Sequence, residues 1–345
     1  MQLRHTFWTL VVAVPLAGAI LGCAGGTDVG GDDDATDDEA TDDDGDGDDD
    51  DDDLPDGVEE EKGGRWVPAK GFTFELDVSS GGDERTALVH VPKDDERKEL
   101  PLVIALHGGK GGNNAERMAK YFEAHENEGV AFAFPNGLEG GESGWATDDD
   151  RDVDFIADLI DTIDGHVGVD RDHVYVTGFA SGAGLAWKLE CESSELFAGF
   201  GHVQESMSKK LQKSCTPKEH KPFVWFHGDS DKKAPWEGDK VTVGVEDTVS
   251  WWLDVHECRK SHDRRDWMPD LDKEDGAQPE LYRYETCKHV PALHLYKIKG
   301  GSHAWPSMKG LNKKKGDGRS RDLDTSERTL EFWKQHAGLE WEGGE

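Results

Sequence analysis

The sequence is poor in basic residues, and one long segment has none. The chain of 345 residues holds 39 Lys and Arg against 74 Asp and Glu, which gives a formal net charge of −35. Residues 28–61 contain 21 acidic residues and no Lys or Arg. Because such a chain repels a phosphate backbone, no nucleic-acid partner is expected.

The sequence also lacks an apolar run long enough to cross a membrane as a retained helix. The N-terminal run, residues 7–21, follows Arg4 and is typical of a secretory signal. It ends in Ile-Leu-Gly-Cys, which is similar to the lipobox of bacterial lipoproteins, although a chance cysteine after an ordinary signal peptide is the alternative. We therefore predict a lipoprotein signal peptide over 1–22 and lipidation at Cys23. Ala24 follows where an inner-membrane retention signal has aspartate, which favours the outer membrane.

Sequence complexity is low in the acidic segment that follows. Residues 23–63 are predicted to form the lipid anchor and a disordered acidic linker, because like charges repel and little apolar surface is present. Asp42, Asp44 and Asp46 partly match a calcium-binding EF-hand loop, but no helical pattern flanks them. Only loose binding of divalent cations by the whole segment is expected, and the lipid is the only predicted membrane contact.

Cysteines are few. The sequence contains no Cys-x-x-Cys pair, which argues against a zinc site, and no metal or cofactor is predicted. An even number of cysteines in an exported chain favours disulfides, and three pairings are open. Neighbour pairing closes the shortest loops, and each bridge would add on the order of 3 kcal/mol. Apart from Cys23, the cysteines are Cys191, Cys215, Cys258 and Cys287.

From residue 64 to 345 the pattern is that of a globular domain. Residues 72–78 and 86–92 alternate in polarity and predict antiparallel strands, whereas the apolar run LPLVIAL at 100–106 is typical of a strand buried on both faces. Residues 153–167 place apolar side chains three and four apart, which predicts a helix. Alternating strands and helices predict an α/β fold with a mainly parallel sheet.

Four predicted strands are followed by glycine-rich or polar turns. These turns contain Gly109, Ala180, Asp231 and His303. In open α/β sheets, functional groups lie beyond the carboxyl ends of the strands, so we expect these residues to converge. The order of turn, acid and histidine is that of the α/β-hydrolases, and it predicts that fold.

The second of these turns, GFASG, has alanine where a nucleophile elbow has serine. Ala180 lies midway between Gly178 and Gly182, and Ser181 lies one position late. Two interpretations follow: a hydrolase fold without its nucleophile, or a turn shifted by one residue that uses Ser181. The flanking glycines favour the first, because the strand and helix crowd those positions.

The other parts of a hydrolase site are present. His303 would act as the general base and Asp231 would fix its tautomer. The backbone N–H groups of Gly109 and Ser181 would form the oxyanion hole.

Four segments, LHGG, VYVTG…G…LAWKLECESSELFAGF, FHGDSDKKAPW and GGSHAWP, resemble one family. They are similar to the secreted esterases grouped as polyhydroxybutyrate depolymerases and feruloyl esterases, over about residues 72–337. The resemblance implies an ester, polyester or plant-polysaccharide-type ligand. It places the family's serine on Ala180, its acid on Asp231 and its histidine on His303. It also supports the pairings 191–215 and 258–287.

Three tryptophans, Trp145, Trp236 and Trp305, fall near the predicted cleft mouth. They are candidates for holding an aromatic acid, a sugar or a polymer chain, and packing of the loops is the alternative. Together the patterns predict a protein that is lipid-anchored in the bacterial cell envelope or extracellular, and whose esterase-like domain binds a ligand with impaired hydrolysis. An active ester hydrolase that uses Ser181, Asp231 and His303 is the alternative.

Overall fold

A computed structural model describes residues 58–61, 65–68, 71–93, 97–109, 114–138, 144–308 and 314–339. All of them belong to one unit, Asp52–Glu345. The predicted signal peptide, Cys23 and the linker up to residue 57 lie outside the described residues. Among the helices that the structure describes, none has the length and apolarity that a membrane crossing requires.

The first described element is a two-stranded ribbon. Strand β1 (Val58–Glu61) pairs antiparallel with β2 (Arg65–Pro68). β1 lies inside the range 23–63 that composition assigns to the linker, so regular structure begins before residue 64. Pairing with β2 satisfies backbone hydrogen-bonding groups of this acidic stretch, and composition alone does not reveal that partner.

A single sheet of ten strands forms the centre of the domain, with the order β10-β11-β12-β9-β8-β7-β5-β6-β4-β3. The six middle strands, from β12 to β6, run parallel, and antiparallel pairs flank them on both sides. The predicted mainly parallel sheet is thus confirmed. The strands are β3 (Phe72–Ser80), β4 (Asp83–Val91), β5 (Leu100–Leu106), β6 (Ala131–Pro135), β7 (Val169–Phe179), β8 (Gly199–Val203), β9 (Phe223–Gly228), β10 (Arg264–Trp267), β11 (Gln278–Tyr284) and β12 (Leu293–Lys299).

Helices cover both faces of the sheet. They are α1 (Asn114–Phe122), α2 (Arg151–Val167), α3 (Ser181–Glu192), α4 (Lys209–Ser214), α5 (Val245–Val255) and α6 (Thr325–His336). Buried side chains of α2, α3 and α5 form one core layer with alternate residues of β5 and β7, and those of α1 and α6 form the other. Successive side chains of a strand point to opposite faces of the sheet, so each strand contributes to both core layers.

Both disulfides follow the neighbour pairing, which confirms that prediction. Cys191–Cys215 joins the C-terminal part of α3 to the residue that follows α4. Cys258–Cys287 joins the segment after α5 to the connection between β11 and β12. Neither bridge lies in the turns that contain the candidate site residues.

Candidate active site

The turn between β7 and α3 consists of one residue, Ala180. Its backbone has φ +51° and ψ −118°, a region that residues with a side chain rarely adopt. Holding such a conformation costs about 1–3 kcal/mol and requires support from the surrounding structure. A strained turn from strand to helix is the geometry of a nucleophile elbow, and here a methyl group occupies its apex.

Two glycines fix the register of this turn. A Cβ atom at Gly178 would lie 2.3 Å from the carbonyl carbon of Gly182, and one at Gly182 would lie 2.4 Å from the carbonyl oxygen of Leu106. The close approach of β5, β7 and α3 therefore requires glycine at both positions. The turn is centred on Ala180, and the structure does not adopt the register shifted by one residue.

Ser181 contributes to the site in a different way. Its Oγ accepts a hydrogen bond of 3.2 Å from the backbone N–H of Gly109. Among the hydrogen bonds of the described residues, this hydroxyl has none to His303. As the first residue of α3, Ser181 has a backbone N–H without an acceptor inside the helix. The two predicted oxyanion donors are thus brought together, and the Ser181 hydroxyl engages one of them.

A second loop supports the turn that contains Gly109. The indole Nε1–H of Trp145 donates to the carbonyl of His107 over 2.8 Å, and the N–H of Gly137 donates to Nε2 of His107 over 3.0 Å. Burial lowers the pKa of His107 to about 4, so the ring is neutral and accepts this bond. A Cβ atom at Gly144 would lie 2.2 Å from the carbonyl oxygen of Gly109. These hydrogen bonds and the close backbone contact therefore hold the turn that contains Gly109 in place.

Asp231 and His303 form the pair that was predicted from the order of the strand ends. Asp231 Oδ2 lies 2.7 Å from His303 Nδ1, while Asp231 Oδ1 accepts from the N–H groups of Lys233 at 2.8 Å and Ala234 at 3.0 Å. Burial alone would raise the pKa of Asp231, but these hydrogen bonds outweigh it and hold the pKa below its usual value. The carboxylate leaves His303 Nε2 available as a base.

The imidazole of His303 lies beside the elbow. Its ring centroid is 5.2 Å from that of Phe179, the residue directly before the turn. The Asp231–His303 pair and the turn that contains Ala180 therefore lie close together at the carboxyl ends of the parallel strands.

Gln204 fixes the loop that contains His303. Its side-chain amide donates to the carbonyls of Ser302 at 2.9 Å and Ala304 at 3.0 Å, and its Oε1 accepts from the N–H of Gly228 at 2.9 Å. The backbone of Gln204 has φ +57°. This residue follows β8 and lies in no motif, so the sequence contained no signal that identified it as a positioning residue.

The chain has sequence relatives that are named esterases, although no family model matches it. "Putative esterase NocK" of Nocardia uniformis subsp. tsuyamanensis is 35% identical over 234 residues, which are 60% of this chain and 65% of that protein. "Feruloyl esterase C" of Emericella nidulans is 26% identical over 151 residues, 42% of this chain and 53% of that protein. This chain thus spans less than two thirds of the length of either relative.

The fold has a counterpart among solved structures. Esterase 2 of Thermogutta terrifontis, solved after phosphorylation by paraoxon, matches with a TM-score of 0.50 at 13% identity, over 78% of this chain and 95% of that chain. The chain is a homologue of proteins named esterases, and it has the fold of the α/β-hydrolases. "Poly(3-hydroxyalkanoate) depolymerase C" of Paucimonas lemoignei is a further sequence relative, 21% identical over 247 residues, 63% of this chain and 58% of that protein. The predicted fold and the resemblance to the polyhydroxybutyrate depolymerase and feruloyl esterase group are both confirmed.

This esterase homologue has a further acid next to its elbow helix. Glu205 follows Gln204 at the end of β8, and its Cγ lies 4.0 Å from the position that a Cβ atom at Gly184 would occupy in α3. Burial raises the pKa of Glu205 to about 7; a hydrogen bond from the Ser206 N–H opposes the shift, and the charges of Asp231 and Asp239 add to it.

Glu205→Gln is expected to stabilise the esterase homologue at high pH and not at low pH. A carboxyl whose pKa rises on folding favours the folded state below its unfolded pKa of about 4.3, and that contribution is lost as the pH rises through 7. The free energy of unfolding of the variant should exceed that of the parent by about 2 kcal/mol at pH 9 and by little at pH 4. Urea unfolding at both pH values measures this, with Glu237→Gln as an exposed control; an equal difference at both would contradict it.

The three tryptophans expected at the cleft mouth are buried. Trp145, Trp236 and Trp305 are 2%, 7% and 5% exposed. Trp236 packs beneath the ammonium of Lys297, 4.3 Å from its ring centroid, and Trp305 stacks on Tyr121 at 5.2 Å. Their rings offer little surface to a ligand, which favours the alternative, packing of the loops around the site.

Proposed function

We propose that this protein is a lipid-anchored protein of the bacterial envelope whose esterase-like domain binds an ester-bearing ligand and hydrolyses it poorly. Ala180 carries this proposal. The Asp231–His303 pair is present, but the apex of the elbow has a methyl group where the nucleophile's hydroxyl would be. Acyl transfer requires an attacking oxygen next to the base.

The expected loss of kcat is large, which supports ligand binding rather than efficient hydrolysis as the function. In serine hydrolases, removing the nucleophile lowers kcat by about 10⁶, and the remaining acceleration of about 10³–10⁴ over water comes from binding and the oxyanion hole. Water activated by His303 could supply slow hydrolysis. The names of the relatives suggest an ester, a polyester or a plant-polysaccharide ester as the ligand class.

A nucleophilic role for Ser181 is the competing proposal. Its hydroxyl accepts from Gly109 rather than donating to an imidazole, and the turn is centred one residue earlier. Both features argue against Ser181 as the nucleophile. They support a role for its backbone N–H as an oxyanion donor, while its hydroxyl occupies the N–H of Gly109.

Fluorophosphonate labelling of the parent protein tests this proposal. We expect no adduct at Ser181, and with p-nitrophenyl butyrate a kcat on the order of 10⁶ below that of an ordinary serine esterase. Ser181→Ala should not lower any residual rate, because it removes only a competitor for the Gly109 N–H, and His303→Ala should reduce the residual rate. An adduct at Ser181 together with loss of activity in Ser181→Ala would establish a working esterase with an unusual elbow.

The proposed anchor predicts a modified N-terminus. Cys23 closes the apolar run at residues 7–21, so the mature chain should begin at a lipidated Cys23. Intact-mass analysis of protein extracted from membranes should show the added diacylglyceryl and acyl mass, and Cys23→Ser should release the protein into the soluble fraction. An unmodified mature N-terminus at any other residue would contradict the anchor.

A further inference from the structure

A cleft of about 760 Å³ borders the imidazole of His303. Four basic side chains contribute to its lining, Lys232, Lys233, Lys314 and Arg319, and Asp317 is the one acidic side chain. The whole chain has a formal net charge of −35, whereas the lining of this cleft has more basic than acidic side chains.

The acid in the cleft is already engaged by other groups. Asp317 Oδ1 lies 3.3 Å from Nη1 of Arg321, and Asp317 Oδ2 lies 3.9 Å from Nε of Arg319. None of the ion pairs formed between residues that the structure describes involves Lys232, Lys233 or Lys314. The lysine ammonium groups are therefore available to an anionic ligand, and no protein acid has to be displaced.

The basic residues come from two segments of the chain, and both segments line the cleft together with His303. Lys232 and Lys233 directly follow Asp231, the partner of the imidazole. Lys314 and Arg319 belong to the segment after β12, which is tied to the histidine loop because Ser302 Oγ donates to the Asp317 carbonyl at 2.9 Å. An anionic group bound by these side chains would therefore lie in the same cleft as His303.

We infer that this cleft selects esters that carry a carboxylate within a few bonds of the ester group. The inference rests on the proposed function, in that the site receives an ester. Charges are screened over about 8 Å at physiological ionic strength, so the remote acidic residues act weakly while the adjacent ammonium groups act directly. Each exposed ion pair contributes little, and several converging on one carboxylate give a measurable preference.

Matched neutral and anionic esters test the preference in the Ala180→Ser background. For a charge on the acyl side, the pair is p-nitrophenyl hexanoate and the p-nitrophenyl monoester of adipic acid. For a charge on the alcohol side, it is phenyl acetate and 4-acetoxybenzoate. At low salt, kcat/KM for the anionic member of at least one pair should be about tenfold higher, and the ratio should fall several-fold in 0.5 M NaCl.

Lysine variants attribute the preference to the cleft. Lys232→Gln/Lys233→Gln should reduce the ratio to about twofold or less, while Lys210→Gln, on α4 and outside the cleft lining, should retain it. The rate on the neutral ester reports any disturbance of the Asp231–His303 pair. Ratios at or below unity in both pairs, or a ratio that the double variant does not change, would overturn the inference.

Binding to the parent protein separates this inference from the proposed function. Calorimetric titration with monoethyl adipate and with ethyl hexanoate requires no nucleophile. About tenfold tighter binding of the monoester supports the inference even if Ala180→Ser hydrolyses nothing. Equal binding of the two overturns the inference and leaves the proposed ligand binding intact. Binding of neither, together with no hydrolysis of any probe, overturns both.

Discussion

Ala180→Ser is expected to raise esterase activity by at least about 100-fold over the parent protein. The substitution adds one oxygen at an apex that already has the φ of +51° required of an elbow residue, next to an imidazole oriented by Asp231. The gain should remain below the full effect of a native nucleophile, because the Ser181 hydroxyl engages the N–H of Gly109 that a substrate oxygen needs. Initial rates with p-nitrophenyl butyrate measure the effect.

Two controls accompany this experiment. Ala180→Ser/His303→Ala should fall to the parental rate or below it, because neither the new hydroxyl nor a water molecule then has a base. Ala180→Ser should also acquire a fluorophosphonate adduct at position 180. A correctly folded Ala180→Ser protein with neither adduct nor added activity would show that more than the hydroxyl is missing from the site.

Gly182→Ala is expected to destabilise the domain by at least about 3 kcal/mol. The added methyl would lie 2.4 Å from the carbonyl oxygen of Leu106 and 2.5 Å from that of His107, both backbone atoms at the end of β5. Relief of this overlap requires α3 to move away from the sheet. Since domains of this kind are stable by about 5–15 kcal/mol, a large part of the total would be lost.

Gly184→Ala provides a matched control in the same helix. Its methyl would lie 3.8 Å from Cγ2 of Thr147 and 4.0 Å from Cγ of Glu205, which is ordinary contact. Because alanine favours a helix over glycine by about 1 kcal/mol, this variant should be as stable as the parent or slightly more stable. Urea unfolding of both variants measures the contrast, and similar midpoints would show that Gly182 is not confined by β5.

The parts of the site that the sequence predicted are those with a strand-end signal. Asp231 follows the buried strand β9 and His303 follows the mostly buried strand β12, so their convergence could be inferred from topology before any distance was known. The pair Gly178 and Gly182 likewise marked the elbow, because glycine spacing reflects backbone crowding that applies to any such turn.

Other features had no local pattern to reveal them. Strand β8 has the sequence GFGHV, whose glycines weaken the apolar run that identifies a buried strand, and it was therefore missed. Gln204 and Glu205 follow this strand and were missed with it. Burial of the three tryptophans could not be predicted either, because position beside a motif does not determine which way a ring faces.

The strained backbone at Ala180 has a consequence for the history of the protein. Every alanine codon becomes a serine codon by exchange of one base, and the conformation that a nucleophile needs is already maintained at this position. No further rearrangement of the turn separates the present protein from a form with the hydroxyl. On the proposed function, the scaffold therefore keeps a binding protein and a hydrolase within a single nucleotide substitution of each other.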